Sequence, residues 1–393
     1  MELTIEKLVY GGDGLARPEG EVLLVPYVLP GERVSVRPGG LRHGVRRASL
    51  ETVESPAAGR VEPPCPYFGR CGGCHYQHAA YQLQVQQKLA ILVETLIRGG
   101  VRQEFPLSYL SGEPWGYRNR VQFHVDKGRI GYRESRSHRT VPVEQCPIAS
   151  PHINQTMGVL REMMRDRRWP RFLRSFELFT NEQETQFNAL DSDRPLAKRF
   201  FEWCAERIPG AASASLDYTV GPDVYRVSNQ SFFQVNRLLL ESLVTEAIGE
   251  AGGAHALDLY AGVGLFTLPL ARRFTRVTAV ESGRGASRDL THNAKRAGLA
   301  VEVALGHVEP FLAAFAGPAP NFVLADPPRT GLGSAVAGRL KEIGPARLTI
   351  ISCDPSTLAR DLCQLEGYRI ARATMVDLFP QTYHIESISI FEK

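Results

Sequence analysis

The chain has 393 residues, 43% of them hydrophobic and 22% charged, which is the make-up of a globular protein with two or three domains. No run approaches the roughly 20 apolar residues that span a bilayer, and Met1-Glu2-Leu3-Thr4-Ile5-Glu6-Lys7 lacks a signal pattern, so a cytoplasmic protein without a membrane partner is expected. A net charge of +4 permits a polyanionic partner without demanding one, and seven cysteines are an odd number for a disulfide framework, which turns attention to metal binding and catalysis.

Residues 1–56 carry short β-branched runs, Leu3-Thr4-Ile5, Val22–Val25 and Arg33–Val36, punctuated by Gly11-Gly12-Asp13-Gly14 and Pro30-Gly31. So many short strands in so few residues predict a small OB-type barrel. Lys7, Arg17, Arg33, Arg37, Arg42, Arg46, Arg47 and Arg60 give it a basic cast.

Cys65, Cys71 and Cys74 follow, set among glycines and prolines that let the backbone wrap a metal, with Cys146 as the candidate fourth ligand. Four thiolates suit a [4Fe–4S] cluster or tetrahedral zinc. Three ligands together and one remote fit the cluster better, because zinc ribbons bring cysteines in two close pairs. No fifth ligand or radical-chemistry motif lies nearby, so a structural role is expected. Val85, Leu89, Leu92 and Leu96 recur at helical spacing before Gly99-Gly100, which predicts a packing helix from Ala79 to Arg98.

Residues 109–228 read as a mixed α+β segment. Arg118–Val125 and Arg129–Tyr132 predict a hairpin around Asp126-Lys127-Gly128. Arg118, Arg120, Lys127, Arg129, Arg133, Arg136 and Arg139 are interleaved there with Tyr117, Phe123, His124 and Tyr132. Cations beside stackable rings suit single-stranded or looped RNA. A second basic group, Arg161, Arg165, Arg167, Arg168, Arg171 and Arg174, follows; such runs are otherwise solvated faces.

The remainder alternates strands and helices and predicts a doubly wound parallel sheet. Ala256–Tyr260 leads into the glycine turn Ala261–Phe266, Arg276–Val280 ends in Glu281, and Asn321–Ala325 leads to Asp326-Pro327-Pro328-Arg329. Leu348–Ser352 leads to Cys353, with Ser356 as a plausible cap of the next helix, and Tyr383–Phe391 closes the sheet as part of a hairpin. Gly262 and Gly264 allow a nucleotide-like ligand close to the backbone, and Glu281 can hold a ribose diol. A dinucleotide fingerprint wants a third glycine where Thr267 stands, so Asp258, Gly262 and Gly264 fit S-adenosylmethionine better.

Cys353 at a strand's carboxyl end sits where such sheets place chemistry, and a helix N-terminus beside it would favour the thiolate. C5 of uracil is a poor nucleophile until a thiolate adds at C6. A base must then remove the C5 proton, and Glu386 in His384-Ile385-Glu386 is the best candidate; otherwise it is a surface glutamate. Arg329, where amino-group methyltransferases carry an aromatic residue, speaks against that class.

The cysteine pattern, Phe233-Gln234-Val235-Asn236, Asp326-Pro327-Pro328-Arg329-Thr330-Gly331, Ser352-Cys353-Asp354-Pro355 and His384-Ile385-Glu386 together resemble the RNA 5-methyluridine methyltransferases. Within that family the nearest pattern is the bacterial 23S ribosomal RNA branch, which has both a TRAM-type barrel and a [4Fe–4S] cluster. The resemblance implies Cys353 as nucleophile, Glu386 as proton acceptor and cofactor contacts at Gln234, Tyr260, Glu281 and Asp326. It also implies a Rossmann-like class I methyltransferase domain at 77–108 and 229–393, a TRAM-type barrel at 1–56 and an iron–sulfur RNA-binding segment at 57–76 and 109–228. A monomer acting on ribosomal RNA is expected; transfer RNA, or RNA binding on an inactive scaffold, are the alternatives. Asp354 departs from the family's usual Asn and could raise the thiol pKa. Leu305-Gly306-His307 and Leu265 also depart, leaving the adenine contact open. Cys204 and Cys363 match nothing and are expected in the core.

Overall fold

The computed structural model describes every residue except Gln103. The N-terminal segment is a six-stranded sheet in the order Glu2–Thr4, Arg33–Arg42, Val45–Ser55, Val22–Pro26, Asp13–Ala16, Lys7–Leu8. Its two edges are successive parts of one stretch of chain. Ile5 donates its N–H to Glu32 O at 2.9 Å on one side, and Glu6 donates to Leu15 O at 2.8 Å on the other. The sheet therefore closes on itself, which removes free strand edges. Alternate residues such as Leu23, Val25, Val34 and Val36 point into its small core.

The central segment is an antiparallel sheet of five strands, ordered Thr140–Pro142, Arg129–Arg133, Arg120–Asp126, Leu173–Thr180, Thr185–Ser192. The helices Pro151–Met163 and Lys198–Ala205 cover it over a core of Phe123, Phe176, Phe187, Trp169 and Phe200. Ser150 caps the first helix by accepting from Ile153 N–H at 3.2 Å, with Pro151 at the position where a missing N–H costs nothing. The rings read from sequence as stacking platforms are largely core: Tyr117 and Phe123 are buried, and Tyr117 donates its hydroxyl to Pro380 O. Arg120 is likewise turned inward, donating to Ser231 O at 2.7 Å and lying 4.2 Å over the Phe179 ring.

The largest sheet has eight strands. Glu302–Leu305, Phe274–Glu281, Gly253–Leu259, Phe322–Ala325 and Arg347–Ser352 run parallel in that spatial order. Glu386–Glu392 pairs antiparallel with Arg347–Ser352, and Arg369–Val376 antiparallel with Glu386–Glu392. Leu107–Leu110 adds to the far edge, so residues 109 and 110, read from sequence with the central segment, hydrogen-bond into this sheet. The hairpin Ser215–Val220/Asp223–Ser228 also packs here: Tyr225 donates to Leu265 O, and Asn293 and Asp289 of the helix Arg284–Arg296 hold its second strand. The helix Tyr81–Arg98 buries Val85, Leu92 and Leu96 in the core of the large sheet, with Leu89 packed beside them. No helix among the described residues is long and apolar enough to cross a membrane.

Candidate active site

The two strands that matter most are Arg347–Ser352 and Glu386–Glu392, in which Ser352 stands opposite Ser387. One residue beyond that pair stand Cys353 and Glu386, near enough for the Glu386 carboxyl to act on the Cys353 thiol, at the carboxyl end of the parallel strands. Glu386 is only 5% exposed, which removes the surface reading. Burial and the nearby Asp326 carboxylate hold its carboxyl well above the usual range, and Arg329 pulls the other way.

Two expectations about the thiol change. The helix after Cys353 runs Pro355–Leu362, and its cap is Asp354, not Ser356: Oδ1 of Asp354 accepts from Ser356 N–H at 2.9 Å and Thr357 N–H at 3.0 Å. The acid replacing the family's Asn is thus spent on the helix end. Nor is the thiolate favoured. Burial first, then Glu386 and Asp326, push the Cys353 thiol up to about 11, with Arg329 opposing. A helix of eight residues, its end already neutralised by Asp354, is too weak to offset this.

The glycine turn lies two strands away. Tyr260, directly after Gly253–Leu259, adopts φ of 64°, and Gly262 and Gly264 adopt 57° and 98°. A side chain at Gly264 would meet Leu290 at 3.3 Å, whereas at Gly262 nothing lies within 4 Å, so that glycine leaves room beside the backbone. The Glu281 carboxylate braces the turn, accepting from Gly262 N–H at 2.8 Å and Gly283 N–H at 2.5 Å. Asp258 is buried below it and accepts from Thr267; burial raises its carboxyl to about 7. Burial likewise raises Asp326 to about 7, while Gln234 Nε2 donates to its Oδ2 at 3.4 Å. Gln234 is held by the central segment: Asn119 Nδ2 donates to Gln234 O, and Asn119 N–H donates to Val235 O. The open loop Leu305-Gly306-His307 is tied to the same region by Gly306 N–H on Glu281 O at 2.9 Å.

Several neighbours of Cys353 left no trace in the sequence pattern. Tyr10, in the turn between the strands Lys7–Leu8 and Asp13–Ala16, donates its hydroxyl to Cys353 O at 3.3 Å and meets the Tyr383 ring edge-on at 5.7 Å. Tyr383 also packs on His75 and His384, with centroids 4.6 and 4.4 Å away. Burial, then Arg329 and His75, drop His384 to about 3, so its imidazole is neutral at physiological pH. Lys88 of the helix Tyr81–Arg98 reaches Asp377 Oδ1 at 2.6 Å with both side chains fully buried, and also donates to Phe379 O. The signal missed was a lysine one turn from Val85 and Leu92, on the apolar face.

Cys65, Cys71, Cys74 and Cys146 line one cavity of about 200 Å³ with Tyr67, Phe68 and Tyr132. The sheet Thr140–Pro142/Arg129–Arg133 and the 65–74 loop meet there, Cys71 bridging to Glu134. Among the described residues no group of three or more His, Cys, Asp or Glu side chains is placed to hold a metal ion. Burial raises the Cys71 thiol to about 11 and that of Cys74 further, with Cys146 adding to both. Cys204 is buried in the central core as expected, but Cys363 is exposed, just past the helix end, with its thiol on Gly99 O.

Known proteins share this architecture. The sequence profile of the tRNA (uracil-5-)-methyltransferase family matches residues 217–298 and 316–393. An uncharacterised RNA methyltransferase of Aquifex aeolicus is 33% identical over 100% of this chain and 98% of its own. The 23S rRNA (uracil(1939)-C(5))-methyltransferase RlmD of Alkalilimnicola ehrlichii is 32% identical over 100% of this chain and 96% of its own. The crystal structure of the tRNA (uracil-54, C5)-methyltransferase of Pyrococcus abyssi, in complex with S-adenosyl-L-homocysteine, superimposes with a TM-score of 0.80. It is 25% identical and the match covers 100% of this chain and 99% of that one. With relatives above 30% identity along its whole length, the chain belongs to the RNA uracil-C5 methyltransferase family.

Proposed function

We propose that the protein methylates C5 of a uridine in RNA, using S-adenosylmethionine, with Cys353 as nucleophile and Glu386 as the base. The observation that carries this is the pairing of a thiol with a buried carboxyl across two strand ends, beside a glycine turn braced by an acid.

The Cys353 thiolate adds to C6 of the uracil, and the electron pair of the C5–C6 bond moves to the ring as an enolate. S-adenosylmethionine, held by Gln234, Tyr260, Gly262, Gly264, Glu281 and Asp326, would supply the electrophilic methyl group for C5. Glu386 then takes the C5 proton, the C5–C6 double bond re-forms and the Cys353 sulfur leaves as thiolate. A carboxyl raised above its ordinary range is a stronger proton acceptor once ionised, which suits this step. Arg329, near both groups, favours the charged form of each. The name of the Alkalilimnicola relative favours ribosomal RNA, and the family profile and the archaeal structure keep transfer RNA as the second reading. A cytoplasmic monomer with no membrane partner follows from the same reading.

The four cysteines would hold a [4Fe–4S] cluster. All four thiols line one cavity, and four cysteine donors around an enclosed space are the donor set such a cluster takes. The closed N-terminal sheet would be a TRAM-type OB barrel that helps hold RNA over Cys353, through which Tyr10 already touches the site. The test of the function is tritium release from RNA carrying 5-tritiated uridine. Release that depends on S-adenosylmethionine is the expected result; methylated RNA without release would mean that the methyl group goes elsewhere.

A further inference from the structure

In the central segment, residues 167–172 and 193–206 face each other across a groove of about 1040 Å³ that Cys353 does not line. Its floor is aromatic: Trp169, Phe200 and Trp203 are all nearly buried and meet edge to face. Its rim is cationic, with Arg167, Arg168, Arg171, Arg194 and Arg199. Three acids share the lining, but Asp193 pairs with Arg174 and Glu202 with Lys198, leaving Glu206.

Two of the arginines are held flat. Arg168 lies 4.3 Å over the Trp203 ring while Asp166 accepts from its Nε and Nη2, and Arg194 lies 4.3 Å over Phe172. A guanidinium laid on an aromatic ring keeps its outer face free, and that face stacks on nucleobases. Arg167, Arg171 and Arg199 are exposed; Arg171 and Arg199 have no carboxylate partner among the described residues, and Arg167 lies near Asp166, whose carboxylate is already taken by Arg168. Lipid headgroups would ask for exposed apolar side chains on the rim, and the large rings here lie at the bottom.

The groove is joined to the active site by a basic edge. Arg171 abuts Gly128 at the tip of the hairpin Arg120–Asp126/Arg129–Arg133. At its other end Arg133 and Arg136 line a cleft that also contains Tyr383. The intervening strand of five residues spans about 17 Å, or several nucleotides.

We infer that this groove binds a second single-stranded or looped segment of the RNA, away from the target uridine. Phosphates lie on Arg167, Arg171 and Arg199, and bases stack on Arg168 and Arg194. The inference rests on the RNA methylation reading above. It makes the enzyme a reader of RNA architecture as well as of one base.

The test compares the full-length protein with the variant Arg167→Ala/Arg171→Ala/Arg199→Ala on two RNAs: unmodified full-length 23S ribosomal RNA and the shortest fragment still methylated. The variant should raise KM for the long RNA about tenfold, leave kcat unchanged and leave the short RNA unaffected. Loss of three single-strand phosphate contacts should also flatten the slope of log affinity against log salt by about 2. Equal KM and equal salt slope for both proteins on the long RNA would overturn the groove. Fluorescence anisotropy with the long RNA reads the same affinity difference without catalysis. If the wild type transfers no methyl group, the functional reading falls; equal affinities in that binding assay overturn the groove by themselves.

Discussion

His75 donates its backbone N–H to Gln381 O at 2.7 Å, which ties the residue after Cys74 to the turn that leads into Glu386. Tyr76 donates to the same carbonyl at 3.0 Å, and Gln84 grips the Gln381 side chain and N–H. Gln381 itself adopts φ of 68°, a conformation that needs such support. The cysteine cavity and the carboxyl at the reaction centre are therefore connected through one short turn.

The first prediction uses that connection. Protein purified without oxygen should be brown with about four irons per chain. Cys146→Ser should lose iron, and amide exchange should accelerate both in the 65–76 loop and in residues 377–386. Colourless protein containing one zinc would contradict the cluster. Unchanged exchange at 377–386 would contradict the coupling.

The buried pair Lys88–Asp377 supports the same turn from beneath. Lys88→Met leaves an uncompensated buried carboxylate and should cost about 3–5 kcal/mol of unfolding free energy, measured by urea titration. Replacing both partners, Lys88→Met with Asp377→Leu, should recover most of it. A single variant within about 1 kcal/mol of wild type would show that the pair is not needed, since surface changes have effects of that size.

Much of this was legible in the sequence. Four of the five adjoining parallel strands lead into a motif residue, Tyr260, Glu281, Asp326 or Cys353, because a buried strand needs an apolar run and the functional group follows where the run stops; Glu302–Leu305 is the exception. Gly262 and Gly264, read from the sequence as leaving room for a ligand, do adopt positive φ. The cap after Cys353 was misread: Asp354 and Ser356 are both good caps, but Pro355 suits the first helical position and so points to Asp354. Tyr10 and Lys88 could not be placed, since their partners lie 343 and 289 residues away. The aromatic residues near Arg118 were misread because β-strand alternation does not say which face a second sheet or helix will cover. That the 215–228 hairpin sits against the large sheet's helix depends on the buried side chains of Asp289 and Asn293, whose partners lie 61 and 67 residues away.

The raised thiol pKa has a direct readout. Below a pKa of about 11 the thiolate fraction, and so the alkylation rate, increases about tenfold per pH unit. Iodoacetamide labelling of Cys353 in RNA-free protein, followed by peptide mass spectrometry, should therefore climb steadily from pH 7 to pH 10. Arg329→Ala removes the neighbouring cation that favours the thiolate and should slow labelling at every pH in that range. Levelling off between pH 9 and pH 10, as an ordinary thiol does, would mean that the thiol is not raised.

The central claim is the division of labour between Cys353 and Glu386, and trapping with RNA tests it most directly. Glu386→Gln keeps the nucleophile and the methyl donor site but removes the proton acceptor, so a methylated protein–RNA adduct should accumulate as a slow band on a denaturing gel. Cys353→Ala should give neither adduct nor methylation. An adduct with Cys353→Ala and none with Glu386→Gln, or rapid turnover by Glu386→Gln, would contradict the account.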